Sequence, residues 1–182
     1  CDGIDGTAAN AVFVDGARGN DENPGTMSAP KKTIMRAVSA AAAASPPKDV
    51  YVSKGKYDEA VVLAQGVSIF GGYDAATGWS RAQANTTTIA STGSVALLAQ
   101  NLAKPAEVQM LSIVAQGATG NLSSGEGRSS TGVRIVDSSG GVTIRGCSIS
   151  AGDGAAGATG NKGEVGAPGG RGGDASGTTL GQ

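Results

Sequence analysis

Apolar residues recur along this chain in short alternating runs. AVFVDG (11–16), DVYVSKGKY (49–57), AVVLAQGVSIFGGY (60–73), TTTIAS (86–91), SVALLAQ (94–100), AEVQMLSIVAQG (106–117), GVRIVDS (132–138) and GVTIRGCSIS (141–150) are rich in Val, Ile or Thr and are bounded by Gly, Asn, Asp or Ser. That is the pattern of β-strands ended by turns. One stretch breaks the two-residue period: APKKTIMRAVSAAAAS places Ile34, Ala37, Val38 and Ala41 at helical spacing, and Pro46 and Pro47 end it. It occurs once, so the chain is not an alternating βαβ protein. The spacing predicts a helix near residues 31–44.

The later runs repeat. Setting AEVQMLSI (106–113) against VTIRGCSI (142–149) pairs Ala106 with Val142, Val108 with Ile144, Leu111 with Cys147 and Ile113 with Ile149. A common offset of this kind points to equivalent positions in successive coils of a solenoid. The expectation is that residues 50–150 form stacked parallel coils, about three in number. Val52, Ile69, Val108, Ile113, Ile144 and Ile149 point inward, and Cys147 is a buried, leucine-like thiol. A solenoid must hide its open ends because unpaired strand edges invite aggregation. The lone helix meets that need if its apolar face covers the first coil while Lys31, Lys32 and Arg36 stay wet. Phe13, Tyr51, Tyr57, Phe70, Tyr73 and Trp79 all precede residue 80, and they are expected to fill a wider volume beneath that cap.

After the last strand the pattern changes again. Glycine occupies positions 154, 157, 160, 163, 166, 169 and 172, the three-residue period of polyproline II. A collagen-like trimer, a disordered linker and a packed glycine helix are the alternatives. The expected organisation is therefore a short N-terminal segment, 1–11, a strand region, 12–151, and a glycine-rich segment, 152–182. No capping helix or charged edge follows the last strand run, so either more chain or a partner is expected there.

Composition removes several functions. Lys plus Arg and Asp plus Glu number 14 and 15, which leaves no field to attract nucleic acid. Histidine is absent, so serine–histidine and cysteine–histidine hydrolases are excluded. The two cysteines are Cys1 and Cys147, and the sequence opens with CDGIDGTAANA. A cysteine in first position, followed by small polar residues, is the expected product of lipoprotein processing. Cys1 is then the lipid-attachment residue, residues 1–11 are a tether, and membrane lipid is a partner. Two or more acyl chains give durable attachment.

The ordered set FVDGARGNDENPGTMSAPKKTIMRAVSAA and DVYVSKGKYDEAVVLAQGVSIFGGYD, covering about residues 12–75, resembles the N-terminal segment of secreted bacterial right-handed parallel β-helix proteins of the pectate-lyase-like superfamily. GWSRAQANTTTI is similar to the continuation in glycine-rich surface β-helix proteins. The resemblance implies an all-β, right-handed parallel β-helix with an N-terminal capping helix, and a secreted location. It does not imply an activity, because this segment precedes lyases, hydrolases and proteins of unknown function alike.

The candidate chemistry is sparse. A lyase of this type needs a base and clustered carboxylates holding calcium in one groove. Arg134 and Arg145 are predicted to face outward, with Glu107 and Asp137 isolated. Asp58 and Glu59 are adjacent, and neighbouring strand residues point to opposite faces, a poor fit to a glycosidase pair. Asp15, Asn20, Asp21 and Asn23, with Glu22, offer oxygen donors of the kind calcium favours. Their spacing does not match an EF-hand, and an Asx-rich turn bent at Gly25 is the favoured reading. The expectation is a non-enzymatic, lipid-anchored β-helix module of the bacterial envelope, structural or adhesive, needing no cofactor. The alternatives are the front coils of a polysaccharide lyase or hydrolase, and an accessory subunit of a larger outer-membrane complex. Envelope proteins or further copies are candidate partners at the last coil. Carbohydrate is a candidate ligand with no direct support in the sequence.

Overall fold

The structure, a computed structural model, describes residues 6–173. Strand β1 (Ala11–Val14) is followed by helix α1 (Ile34–Ala43), and then by β2 (Asp49–Ser53), β3 (Gly55–Tyr57), β4 (Val61–Val62), β5 (Ile69–Asp74), β6 (Ser80–Arg81), β7 (Thr87–Ser91), β8 (Val95–Gln100), β9 (Ala106–Gln109), β10 (Ser112–Ala115), β11 (Thr131–Val136), β12 (Val142–Arg145) and β13 (Ser148–Ala151). The longer predicted runs each divide at a corner: DVYVS turns at Lys54 into GKY, and AEVQ turns at Met110 and Leu111 into SIVA.

The strands stack into three sheets. Sheet A runs β1-β2-β5-β9-β12, with β6 antiparallel to β5; sheet B runs β3-β7-β10-β13; sheet C runs β4-β8-β11. All other strand-to-strand pairings in these sheets are parallel, so the chain is a β-solenoid of about four turns. The predicted alignment is the ladder register: Ala106 pairs with Val142, Val108 with Ile144 and Ile113 with Ile149. The two-residue β6 carries no alternation and was not predicted.

Like residues form columns inside the coils. Val12, Val50, Ile69, Val108 and Ile144 are successive register partners in sheet A, and Tyr57, Ile89, Ile113 and Ile149 are successive partners in sheet B. Val52, Ile69, Val108 and Ile113 are fully buried, as predicted. Ile144 is only half-buried, and Ile149 is 47% exposed. Both lie in the last coil, where no described strand stacks on them, so position in the stack decides burial along with direction. Cys147 is half-buried for the same reason.

Helix α1 closes the opposite end. Ile34, Ala37, Val38 and Ala41 are buried in one core with Val12, Val14, Val50, Val52, Val61 and Leu63. Burying a side chain such as Ile34 or Val38 contributes roughly 1.5–3 kcal/mol. Lys32 and Arg36 are exposed, whereas Lys31 is half-buried, its Nζ donating to the Asp21 carbonyl at 2.9 Å. The loop before the helix covers the free edge of β1: the Phe13 amide donates to Gly25 O and the Lys31 amide to Phe13 O, each at 2.9 Å.

The aromatics do not fill the space beneath the helix. Apart from Tyr57, they lie on the outer face of sheet A, where Ala11, Phe13, Tyr51, Tyr73 and Trp79 form a second core with Phe70 packed against it. Phe13 meets Trp79 edge-on at 4.7 Å, and Tyr51 stacks on Tyr73 at 4.8 Å. Val12 and Val14 alternate with Ala11 and Phe13, so the two faces of β1 serve two cores. The Thr7 amide donates to the Tyr51 hydroxyl at 3.1 Å, and Ala8–Asn10 form a 3-10 turn, which brings residues 6–11 against this outer core.

Beyond β13, the glycine-rich segment begins as an extended partner of the loop 116–130. Ala118 N donates to Asp153 O at 2.8 Å, Ala155 N to Arg128 O at 2.8 Å and Ala158 N to Gly125 O at 2.7 Å. Gly127 permits this approach, since a Cβ there would lie 1.8 Å from Ala155 O. From residue 159 to 173 the chain carries no helix or strand, and Val165 is 92% exposed.

Candidate functional site

The oxygen-rich turn after β1 is built as a brace for α1. Asp15 accepts from Ala17 N at 3.0 Å and Arg18 Nε at 2.8 Å; Asn20 Oδ1 accepts from Glu22 N at 3.0 Å; Asn23 Nδ2 donates to Pro30 O at 2.9 Å. Asp21 Oδ1 accepts from Lys32 N at 3.0 Å and Thr33 N at 2.9 Å, and the Thr33 hydroxyl also donates to this carboxylate. Burial pushes Asp21 upward, but the Thr33 and Lys32 hydrogen bonds and the nearby Arg36 charge hold it below the usual carboxylate value. Asp15, Asn20 and Asp21 each accept from a backbone amide of the turn or of the start of α1, the geometry of an Asx-rich turn. Among the described residues no group of three or more His, Cys, Asp or Glu is arranged to hold a metal.

The adjacent acids part company. Asp58 pairs with Lys56 at 2.6 Å. Glu59 reaches the start of α1 and accepts from Ile34 N at 2.8 Å and Met35 N at 3.0 Å, while Thr33 Oγ1 accepts from Arg36 N at 3.4 Å. A carboxylate at a helix N-terminus satisfies free amides and complements the helix dipole. Glu59 thus latches the helix to the coil between β3 and β4, across 25 residues of sequence; no local motif announces such a contact. Replacing Glu59 with Ala leaves two helix amides without this acceptor, and the expected loss is about 1–3 kcal/mol. A lowered urea midpoint checks this; an unchanged midpoint would mean the latch contributes nothing.

Arg134 and Arg145 are separated. Arg145 Nε lies 3.1 Å from Glu107 Oε1 on the outer face of sheet A, and Gln109 Nε2 donates to the same oxygen at 2.8 Å, so Glu107 is not isolated as expected. Arg134 is on β11 in sheet C, in register with Leu98, and Asp137 lies beyond the end of that strand. Cys147 Sγ is directed at the carbonyls of Arg145 and Val108, at 3.4 and 3.6 Å, and burial pushes its thiol pKa up. A raised thiol pKa disfavours the nucleophilic thiolate. Cys1 lies outside the described residues.

One polar concavity that spans neighbouring coils was not predicted. It is a cleft of about 340 Å³ at the corner between sheets A and B, lined by Gln83, Asn85 and Thr86 on one side, Ser112 and Ser148 on the other, and Met110. The sequence signal for it was the equivalence of Ser112 and Ser148 under the 36-residue offset (148 minus 112). None of its lining residues is charged.

No curated protein and no solved structure matches the chain. A family model does: the one described as "Protein of unknown function (DUF1565)" matches residues 17–116, from the turn after β1 through the end of β10. That span holds the capping helix, its Glu59 latch and the strands of sheets A to C as far as β10, and on that match over more than half of its 182 residues the chain belongs to the DUF1565 family.

Proposed function

We propose that this chain is a non-enzymatic module of the bacterial envelope, a right-handed parallel β-helix of the pectate-lyase-like type that serves as a structural or adhesive surface. The observation that carries this reading is how the candidate catalytic side chains are used. Glu59 caps a helix, Asp58 pairs with Lys56, and Glu107 pairs with Arg145. These three carboxylates are each committed to a separate structural partner.

Lipid on Cys1 is the proposed anchor, and the first described residues, 6–11, pack against the outer core at Tyr51. The seven glycine triplets are proposed to continue from Asp153–Ala158 as a polyproline-II-like arm. The accessory-subunit reading draws on the last coil. Ile135 and Ile149, 48% and 47% exposed, offer an apolar end on which an envelope protein or another copy can dock. Anchoring is tested on protein purified from native membranes by measuring the intact mass of its N-terminal peptide. The expected result is the added mass of acyl chains on Cys1, with a Cys1→Ser precursor recovered in the soluble fraction. An unmodified N-terminal cysteine would defeat the anchor.

A further inference from the structure

We infer that the corner cleft between sheets A and B is a binding site for a neutral glycan chain. The inference deepens the adhesive half of the proposed function and rests on it. The chemistry of the lining selects the ligand class. The side chains of Gln83, Thr86, Ser112 and Ser148 form no hydrogen bond to another described residue, so their donors and acceptors are available. Asn85 is held in place, its Nδ2 donating to Gly72 O at 3.0 Å and to Ser80 O at 3.3 Å, which fixes that wall against β5 and β6. Without a charged group the cleft gives an acidic ligand no counter-ion, and without an aromatic ring it gives a nucleobase no platform. An uncharged, polyhydroxylated ligand matches what remains. The volume of 340 Å³ falls in the range of small-ligand clefts, roughly 300–1,000 Å³.

Two further observations fit a chain rather than a single sugar. Ser112 and Ser148, both in the lining, are direct register partners on adjacent strands, so these two positions are offset by the strand separation of about 4.8 Å, close to the length of one sugar residue along a glycan. Met110 lines the same cleft from a left-handed backbone conformation, φ 53°, that favours glycine; the equivalent corner one coil later is Gly146, φ 57°. A methionine is kept where a glycine folds more easily. Its thioether supplies the apolar surface on which the C–H face of a sugar ring rests, and strained positions of this kind gather at binding sites.

The test is calorimetric titration of the full chain with cellohexaose, laminarihexaose and maltohexaose, and with hexagalacturonate as the acidic control. The expected result is saturable binding of at least one neutral glycan. Combined Ser112→Ala and Ser148→Ala weaken it about tenfold or more, from the loss of two hydrogen bonds. Met110→Gly separates site from scaffold: it is expected to keep or raise the melting temperature while weakening binding. No neutral glycan bound, hexagalacturonate bound preferentially, or binding unaltered in these variants would each overturn the inference. New reducing ends in the titrated glycan would overturn the non-enzymatic reading instead, and the site would still be judged on the variants.

Discussion

Aspartate in place of Ile113 is expected to unfold the protein under conditions in which the wild-type chain is folded. Ile113 is fully buried in the sheet B column, with Ile89 on one side and Ile149 on the other. A carboxylate there has neither water nor a partner, and the loss is expected to exceed about 4 kcal/mol, most of the margin of a domain this size. The same substitution at Ile144, half-buried in the last coil of sheet A, keeps access to solvent and is expected to cost about 1–3 kcal/mol. Urea melts of the two variants check the contrast. Equal losses would mean that the last coil is covered as fully as the inner ones.

Deleting residues 27–47 is expected to give an aggregating protein. The deletion removes Ile34, Ala37, Val38 and Ala41 from the core they share with Val12, Val14, Val50, Val52, Val61 and Leu63. It also removes the Lys31 backbone that pairs with the free edge of β1. An apolar end and an open strand edge are then exposed together, the combination that drives edge-to-edge association. Light scattering and gel filtration read the outcome. A soluble deletion variant with a cooperative melt would show that α1 is not the cap of the solenoid.

Much of the stack was legible in the sequence because it is encoded locally and repeated. Val and Ile alternate with polar residues in β9, β12 and β13, and the offset that aligns AEVQMLSI with VTIRGCSI is the ladder register itself. The capping helix was legible from the spacing of Ile34, Ala37, Val38 and Ala41, all of which are buried. The aromatic core was not, because alternation separates two faces without saying what covers the second. Residues 75–79, with Trp79 donating to Met27 O at 3.2 Å, supply that cover across 52 positions of sequence. Ile149 was misjudged for a related reason: its side chain follows the column, but exposure depends on the coil that comes after. The Glu59 latch and the corner cleft are contacts between distant segments, so a reading of neighbouring residues leaves both invisible.

We propose that this solenoid presents a surface and turns nothing over. The most direct measurement is to incubate the purified full chain with pectate, alginate and neutral glycans, with and without calcium, and to follow chain ends by mass spectrometry and by absorbance of unsaturated products. The account predicts no new ends in any mixture. Calcium-dependent release of unsaturated sugar, lost when Arg134 or Arg145 is replaced by Ala, would contradict it.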